Sequence, residues 1–421
     1  MIAVILILLA LLGTPLFIVI AAAALSGFFQ SDIDLSVVAI EIYRLVETPV
    51  LVAIPLFTLA GYILSYTDAS TRLVAVTDAL FSWMPGGLAL VALLACAGFT
   101  ALTGASGVTI IALGALLYPA LQKGGYSERF SLGLITSSGS LGLLFPPSIA
   151  LILYGVIVQQ LGIGGPISID DLFIAGIAPG MLMVLLLTLW CIAHNPKVEH
   201  KKSSWPEVRK AVYDARWELP IPFLVLGGIY GGVLALSEAA AALLFYVLVV
   251  AIFILKEVRI RQLPEIMHET MVLIGGVLVI LAVSLASTNY MVDAQIPEKL
   301  LGFVREHIDS RISFLILLNI FLLMLGMMLD IFSALVIVVP LILPIAVSYG
   351  VHPVHLGIIF LANMQIGYFT PPVGMNLFIA SYRFDRPVME LYRASIPFMF
   401  ILIFAVLIIT YWPALSLFAI R

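Results

Sequence analysis

Charged side chains are scarce in this chain. Asp, Glu, Lys and Arg make up 10% of its 421 residues, whereas hydrophobic residues make up 62%. A soluble domain carries about 25% charged residues, so this composition excludes a soluble globular protein and indicates an all-α protein with many membrane spans in the lipid bilayer. The net charge of −4 is small and no cluster of charges suggests nucleic acid, so we expect no nucleic-acid partner.

Motifs for common enzyme chemistry are also missing. The sequence contains neither an H-E-x-x-H pair nor a G-x-x-x-x-G-K-[ST] loop, so the chain is not expected to hydrolyse ATP itself. Gly104-Ala-Ser106-Gly107 resembles the motif of a serine nucleophile. However, the six histidines lie near span ends or in loops, where none could act as its base. We therefore expect a protein that is not an enzyme.

Two apolar runs each carry a pair of adjacent prolines at their centre. Pro146-Pro147 lies within residues 130–158, and Pro371-Pro372 lies 225 residues later, within residues 355–382. Both runs are long enough to cross a bilayer. Proline removes a backbone donor and disfavours a helix before it, so both helices must break inside the membrane. Matching breaks in two halves of a hydrophobic chain indicate the binding site of a secondary transporter.

Two other apolar segments are too long for one helix. Residues 84–121 and 312–347 each contain small and polar residues near the middle, at Thr103–Thr109 and Gly326–Ser333. This pattern predicts two re-entrant helical hairpins whose tips end near the centre of the membrane, where exposed backbone can face a ligand. The alternative is two full helices joined by a loop in each segment.

The distribution of charge predicts how the chain is oriented. The loop 194–217 holds six basic residues, so the positive-inside rule places it in the cytoplasm. Counting crossings from this loop places fifteen of the 20 basic residues on that side, with a cytoplasmic amino terminus and a periplasmic carboxyl terminus. Residues 1–195 and 219–421 then form two inverted repeats joined by the basic loop 196–218. Gly142 and Gly367 share the 225-residue offset of the proline pairs.

Polar side chains flank both predicted breaks. They are Thr136, Ser137, Ser138 and Ser140 before the first break, Asn363 and Gln365 before the second, and Asn376 after it. Hydroxyl and carbonyl oxygens suit Na⁺, and the amino termini of half-helices suit a carboxylate or sulfonate. Polar residues also pack helices together in membranes, so any one of them could serve only that purpose.

Asp330 is an ionisable residue in the middle of an apolar segment. Such a group predicts a functional role by default. It could bind a cation, directly or through the hairpin backbone, or it could hold the hairpin tip to the broken helix. The alternative is a purely structural hydrogen-bonding role. Every Lys and Arg can be placed in a loop or at a helix end, so the spans offer an anionic substrate no permanent positive charge. The binding of an anion should therefore depend on Na⁺.

Six motifs occur in the order found in one transporter family. They are Ile54-Pro-Leu-Phe-Thr-Leu-Ala-Gly61, Gly104-Ala-Ser-Gly107, Phe145-Pro-Pro-Ser148, Gly326-Met-Met-Leu-Asp330, Pro340 with Pro344, and Gly367–Gly374. Over nearly its whole length the chain resembles the large membrane subunit of TRAP transporters, the DctM family. The resemblance implies an elevator-type fold of the ion-transporter superfamily, with a scaffold and a moving transport domain. It also implies Na⁺-driven uptake of an organic acid anion across the bacterial cell inner membrane.

The resemblance further implies partners and a binding site. The partners are a small four-helix membrane subunit of the DctQ type and a periplasmic substrate-binding protein of the DctP type. Two or more Na⁺ ions would be transported. The implied Na⁺ residues are Ser106, Gly142 and Pro146 for one site, and Gly326, Asp330, Gly367 and Thr370 for another. The implied substrate residues are Ser106, Ser137, Ser148, Thr370 and Asn376.

Two other functions are compatible with the same residues. A one-component Na⁺-coupled carrier of the same superfamily would bind its organic anion directly from solution. A channel would lack saturable, Na⁺-coupled uptake. The sequence does not identify the substrate, and dicarboxylates, sugar acids, sialic acids and sulfonates all remain open.

Overall fold

The protein is built from α-helices, as its composition predicts. A computed structural model describes residues 14–31, 33–46, 49–81, 83–84, 86–194 and 204–420, and the single positions 6, 8, 9 and 12. No β-strand occurs among these residues. Lys197, Lys201 and Lys202 of the predicted basic loop lie outside the described residues.

The helices are numbered in chain order. They are α1 (Leu16–Gln30), α2 (Ser36–Val46), α3 (Ala53–Ser65), α4 (Ala69–Phe81), α5 (Gly87–Thr103), α6 (Ser106–Lys123), α7 (Glu128–Ser138), α8 (Ile149–Leu161), α9 (Ile169–Ala193), α10 (Trp205–Asp214), α11 (Pro220–Tyr230), α12 (Leu236–Leu248), α13 (Leu263–Asp293), α14 (Ile296–His307), α15 (Arg311–Met328), α16 (Ile331–Ser348), α17 (Pro353–Gly367), α18 (Met375–Phe384), α19 (Val388–Tyr411) and α20 (Ala414–Leu417).

Six helical segments of the described chain are long and apolar enough to cross a membrane, and a bent pair formed by α7 and α8 makes a possible seventh. The apolar run 219–255 also folds as two helices, because α11 ends at Tyr230 and α12 begins at Leu236. Gly232 adopts a φ of 68° in the turn, a backbone conformation that favours glycine.

Both predicted hairpin segments fold as two helices separated by two residues. In the first, α5 ends at Thr103, the following Gly104 has a φ of 69°, and α6 begins at Ser106. In the second, α15 ends at Met328 and α16 begins at Ile331. The observed pairs extend from 87 to 123 and from 311 to 348, close to the predicted 84–121 and 312–347. The depth of their tips in a bilayer stays a prediction.

Both proline pairs interrupt a helix, which confirms the predicted breaks. The first run is helical to Ser138, passes through a 3₁₀ turn at Leu141–Leu144, and resumes as α8 with a bend of 42°. The second run stops at Gly367 and resumes with α18. The Pro146-Pro147 and Pro371-Pro372 bonds are both cis. Neither apolar run is a continuous helix.

The two halves of the chain match in helix boundaries and interlock in space. The bounds of α6 and α16 differ by 225 residues at both ends, the same offset that separates the proline pairs. Helix α6 packs against α18 of the other half, and α16 packs against α8. Two more helix pairs join the halves: α19 of the second half packs against α7 of the first, and α9 of the first half packs against α17 of the second. Each half therefore completes the packing of the other.

Buried helices lie beside both helix breaks, although Pro372 and Val373 of the second break are themselves exposed. Every residue of α17 is buried, and so is every residue of α8 from Ile149 to Val158. A wholly buried helix has no lipid-facing or water-facing side, so it must be surrounded by other helices. Interrupted backbone at membrane depth is tolerated where it is buried in protein or lines a water-filled cavity.

A largely buried ion cluster joins α4 to two later connections. The guanidinium of Arg72 lies 2.6 Å from a carboxylate oxygen of Glu218 and 2.5 Å from one of Glu257. Burial alone would raise the pKa of Glu257. The hydrogen bonds from Arg72 and from the Asp68 amide outweigh burial, so the pKa lies below its ordinary value of 4.5.

Replacing Arg72 with Met should lower the thermal unfolding midpoint at pH 7 because two largely buried carboxylates lose their partner, a loss of about 2 kcal/mol. Because the pKa of Glu257 is lowered in the folded protein, its stabilisation is present above pH 4.5 and is lost as the pH falls further. The difference in thermal unfolding midpoint between the wild type and the Arg72→Met variant should therefore become smaller at acidic pH. Arg261→Met serves as control, and an equal loss in both variants would contradict the role of the cluster.

Candidate binding site at the helix breaks

Each helix break rests against the first arm of its own hairpin through a glycine. A Cβ atom placed on Gly142 would lie 2.4 Å from the backbone nitrogen of Ala101. A Cβ atom placed on Gly367 would lie 2.5 Å from the Cα atom of Gly326. Ala101 and Gly326 are themselves separated by the 225-residue offset. In both predicted Na⁺ regions, therefore, a glycine at the break lies against the backbone of the first hairpin arm.

Hydrogen bonds join the first hairpin tip to the breaks. The Ser106 hydroxyl donates to the Asn376 side-chain oxygen at 2.8 Å, and the Asn376 amide donates to the Thr136 carbonyl at 3.4 Å. The Ser140 hydroxyl donates to the Gln365 carbonyl at 2.8 Å. The structure thus brings together Ser106 and Asn376, which lie 270 residues apart in the sequence.

Side chains form hydrogen bonds with the backbone amides of the second hairpin tip. Asp330 is the N-cap of α16, and one of its oxygens accepts from the backbone amides of Phe332 and Ser333, at 3.0 Å each. The Tyr368 hydroxyl accepts from the Ile331 amide at 2.7 Å. The first three amides of α16 are therefore all satisfied. The described bonds of Asp330 lie within α16, as in the purely structural role that the sequence offered, and Tyr368 makes the bond between the tip and the broken helix.

The first hairpin tip differs at the equivalent position. Ala105 occupies the N-cap of α6, and no side chain among the described residues caps this helix. The leading amides of α6, at Ser106, Gly107 and Val108, carry the partial positive charge of a helix amino terminus. One tip thus presents uncapped amides, whereas the other carries a carboxylate. The two tips have opposite electrostatic character.

Four predicted site residues lie at the breaks without joining the tips through side-chain bonds. The Ser137 hydroxyl donates to the Leu134 carbonyl at 3.1 Å, and the Thr370 hydroxyl donates to the Ile366 carbonyl at 2.8 Å. The Ser148 hydroxyl caps α8 by accepting from the Leu151 amide. Pro146 is half-buried at the bend. These hydroxyl groups bond within their own segments.

Other polar residues support the site and were not singled out from the sequence. Thr100 donates to the Gly139 carbonyl at 2.8 Å, so it binds the first break to α5. Tyr368 holds the second tip through its bond to Ile331. No sequence signal identified Thr100, because hydroxyl residues are common in membrane helices. The bond between Ser140 and Gln365 could have been found, since the 225-residue offset pairs these two positions.

The chemistry of the site is that of oxygen donors. No group of three or more His, Cys, Asp or Glu residues able to hold a metal occurs in the part of the chain that the structure describes. Around the tips, the available ligands are hydroxyls, side-chain amides, freed carbonyls and the carboxylate of Asp330. Such hard oxygen ligands suit alkali and alkaline-earth cations and do not suit metals that prefer thiolate or imidazole.

Comparison with known proteins identifies the family. The model of the DctM component of tripartite ATP-independent periplasmic transporters matches residues 3–415. The C4-dicarboxylate TRAP transporter large permease protein DctM of Pseudomonas aeruginosa is 33% identical over 94% of this chain and 92% of its own length. The ectoine TRAP transporter large permease protein TeaC of Halomonas elongata is 32% identical, over 97% and 95% respectively.

The fold is also similar to that of a solved transporter. The YdaH transporter of Alcanivorax borkumensis superimposes with a TM-score of 0.60 at 16% identity, covering 88% of this chain and 86% of that one. The two TRAP relatives are named for different substrates, so they indicate a class of protein and no single cargo. From its matched length and these relatives, the chain belongs to the DctM family, the large permease component of tripartite ATP-independent periplasmic transporters.

Proposed function

We propose that the chain imports an organic acid anion as a Na⁺-driven secondary transporter in the bacterial cell inner membrane. Its amino terminus would be cytoplasmic and its carboxyl terminus periplasmic. A periplasmic binding protein of the DctP type would deliver the anion, and a small subunit of the DctQ type would complete the membrane complex. The observation that carries this proposal is the opposite electrostatic character of the two hairpin tips.

The tip of α6 is suited to the anion. Its leading amides are uncapped, and the Ser106 hydroxyl and Asn376 amide lie beside them. A carboxylate or sulfonate at this point would accept hydrogen bonds from backbone amides and interact favourably with the helix dipole. Ser137, Ser148 and Thr370 remain the neighbouring substrate candidates.

The cations would bind beside the two breaks. One Na⁺ would lie among Ser106, Gly142 and Pro146. The second would lie among Gly326, Gly367 and Thr370, close to the carboxylate of Asp330. Each Na⁺ offsets negative charge of the cargo that the described site does not neutralise with a Lys or Arg. This arrangement would couple the affinity for the anion to the Na⁺ concentration.

An elevator mechanism is supported by the exchanged packing of the two halves. Helices α5–α9 and α15–α19 interlock around the breaks and would move as one transport domain. The long helix α13 packs on α16 from outside this group and would belong to the scaffold. There, the Ser284 hydroxyl donates to the Val336 carbonyl at 2.9 Å. Pro340 has no amide hydrogen to occupy that carbonyl, so a scaffold residue satisfies it.

Ser106→Ala and Asn376→Ala, alone and together, test the anion site. Asn376→Ala should lower the affinity for the cargo about tenfold, since a hydrogen bond to a charged group contributes about 1.5 kcal/mol or more. Ser106→Ala should lower the affinity less, because the Ser106 hydroxyl donates to Asn376 and acts by orienting that amide. The double variant should lose less binding free energy than the sum of the losses in the two single variants, because the two side chains share one contact. Uptake of C4-dicarboxylates and sulfonates should be measured in proteoliposomes containing the complete complex, with and without a Na⁺ gradient.

Ser131→Ala is a matched control. Its hydroxyl is buried in α7 but donates to the Ser127 carbonyl at 3.0 Å, one turn earlier in the chain and away from the tips. Wild-type affinity in all three tip variants would contradict the proposed anion site. Saturable uptake without the binding protein would favour the one-component carrier instead, and uptake that ignores the Na⁺ gradient would contradict Na⁺ coupling.

A further inference from the structure

A small cavity separates the long helix α13 from α8 and α16. Its volume is about 40 Å³, and residues from all three helices line it. Its polar lining residues are Gln160, Ser284, Thr288 and Asn289, and no charged residue lines it. A charged group would lose its hydration there without gaining a partner of opposite sign. The cavity therefore suits a small neutral molecule, and it shares no residue with the candidate site at the helix breaks.

Helix α16 has two backbone carbonyls beside this cavity that lack their usual helical donors. Pro340 has no amide hydrogen for the Val336 carbonyl, and Pro344 has none for the Pro340 carbonyl. The Ser284 hydroxyl of α13 donates to the Val336 carbonyl at 2.9 Å. Pro340 is buried one turn further along the same side of α16, and it lines the cavity. A buried carbonyl of this kind needs a donor from outside its own helix.

Thr288 lies on the α13 side of the cavity, one turn after Ser284. Only 6% of the Thr288 side chain is exposed, and its hydroxyl has no hydrogen-bond partner among the described residues. Ser284 and Thr288 have the same spacing as Val336 and Pro340, so the second hydroxyl and the second carbonyl correspond to the bonded pair one turn earlier. A hydroxyl group in the cavity could accept from Thr288 and donate to the Pro340 carbonyl. It would complete a second connection between α13 and α16.

The remaining walls of the cavity suit a short alkyl chain. Ile157, Leu281 and Val336 are buried apolar residues that line it. A water molecule needs about 10–15 Å³ of such volume, so the cavity holds about three water-sized groups. An alcohol of two or three carbons would fill this space and gain apolar contacts that water lacks. Gln160 and Asn289 are exposed, so they mark the mouth through which the molecule would enter.

We propose that this cavity binds a short-chain alcohol whose hydroxyl connects Thr288 with the Pro340 carbonyl, and that water fills the cavity when no alcohol is present. The chemical class of the ligand is a neutral hydroxyl compound of two or three carbons. An occupied cavity joins α13 to α8 and α16, so the bound molecule should inhibit uptake without competing with the cargo. That inhibition rests on the proposed elevator movement, whereas the binding itself does not.

Protection of a thiol at the mouth tests the site without a transport assay. Gln160→Cys places an exposed thiol there, whereas the native Cys96 and Cys191 are fully buried. The rate of its modification by a small, water-soluble methanethiosulfonate should be measured on both faces of membrane vesicles that contain the complete complex, with methanol, ethanol, 1-propanol, 1-butanol or 1-hexanol present. Protection should be saturable. Its apparent affinity should rise about fourfold per carbon up to 1-propanol and then stay level, whereas partition into lipid rises with every carbon.

Variants of α13 separate binding of a hydroxyl from general effects of alcohol. Thr288→Val keeps the shape of the side chain but removes the hydroxyl, so the alcohols should protect about fivefold more weakly, whereas Thr288→Ser should retain protection. Thr270→Val is the matched control, because that buried hydroxyl donates to the Ile266 carbonyl at 2.7 Å elsewhere in the same helix. A thiol introduced by Glu306→Cys is exposed and does not line the cavity, so it should show no protection.

Several results would overturn the site. Protection that Thr288→Val leaves unchanged, or that Glu306→Cys shows equally, would mean that no specific bond forms. Modification of Gln160→Cys without protection by any alcohol would mean that water alone fills the cavity, and no modification would mean that its mouth is closed. Protection depends on neither Na⁺ nor the choice of cargo. Saturable protection without inhibition of uptake would therefore support the site and reject the movement of α13 against α16.

Discussion

Replacing Asp330 with Ala is expected to lower the apparent affinity for Na⁺ about 100-fold and to slow Na⁺-driven uptake accordingly. The carboxylate accepts from two backbone amides and from the Ser333 hydroxyl. Its removal takes away the negative charge beside the second break, a loss of about 3 kcal/mol in a site of hydrogen-bonded charges. Uptake by the reconstituted complex should be measured over a range of Na⁺ concentrations.

Loss of the N-cap should also have a separate effect on stability. Replacing an N-cap aspartate by alanine costs about 1 kcal/mol, so the thermal midpoint should fall while membrane insertion is retained. Asp330→Asn separates the two roles, because the amide oxygen can still accept from Phe332 and Ser333 but carries no charge. If the Asn variant responds to Na⁺ like the wild type, Asp330 only holds the tip. If both variants lose the response, the charge itself is needed.

Gly142→Ala and Gly367→Ala are each expected to destabilise the protein strongly, although each adds a single methyl group. The added carbon would lie 2.4 Å from backbone of α5 in the first case and 2.5 Å from backbone of α15 in the second. Backbone cannot rotate away as a side chain can, so each hairpin arm must move from its break. We expect a loss of about 3 kcal/mol or more, together with loss of uptake.

Gly98→Ala is the control for these two variants. Gly98 lies in α5, the same arm that Gly142 touches, and a Cβ atom there meets no heavy atom within 4 Å. The alanine should be neutral or stabilising by up to about 1 kcal/mol, since alanine favours a helix. Thermal unfolding in detergent measures the change in stability, and uptake in proteoliposomes measures the change in transport. Wild-type midpoints for the Gly142 and Gly367 variants would mean that the close approach of the helices is dispensable.

The interrupted helices could be predicted from the sequence because their cause is local. Adjacent prolines remove donors from the backbone wherever they occur, and Pro146 and Pro371 therefore end helices without reference to the rest of the fold. The same holds for the hairpin turns, where Gly104 and Asp330 stop or start a helix through their own conformational and capping preferences. Apolar length predicted the spans in the same direct way.

The partners of these elements depend on contacts between distant residues. Nothing in the sequence indicated that Ser106 would bond Asn376, or that α6 would pack on α18 of the other half. The Ile331 amide at the tip of α16 gains its partner only when Tyr368 of the second break is in place. Arg383 lies at the end of α18, and only its bond to the Ile111 carbonyl shows that it packs beside α6.

Local backbone chemistry therefore establishes where this chain bends and which segments enter the membrane, because proline, glycine and hydrophobic length act within a few residues. The pairing of tips, breaks and charges arises from the packing of one half against the other. This packing depends on the shapes of whole helices. Many sequences share the same hydrophobic pattern but place different side chains at the contacts, so the pattern alone does not identify which residues pair.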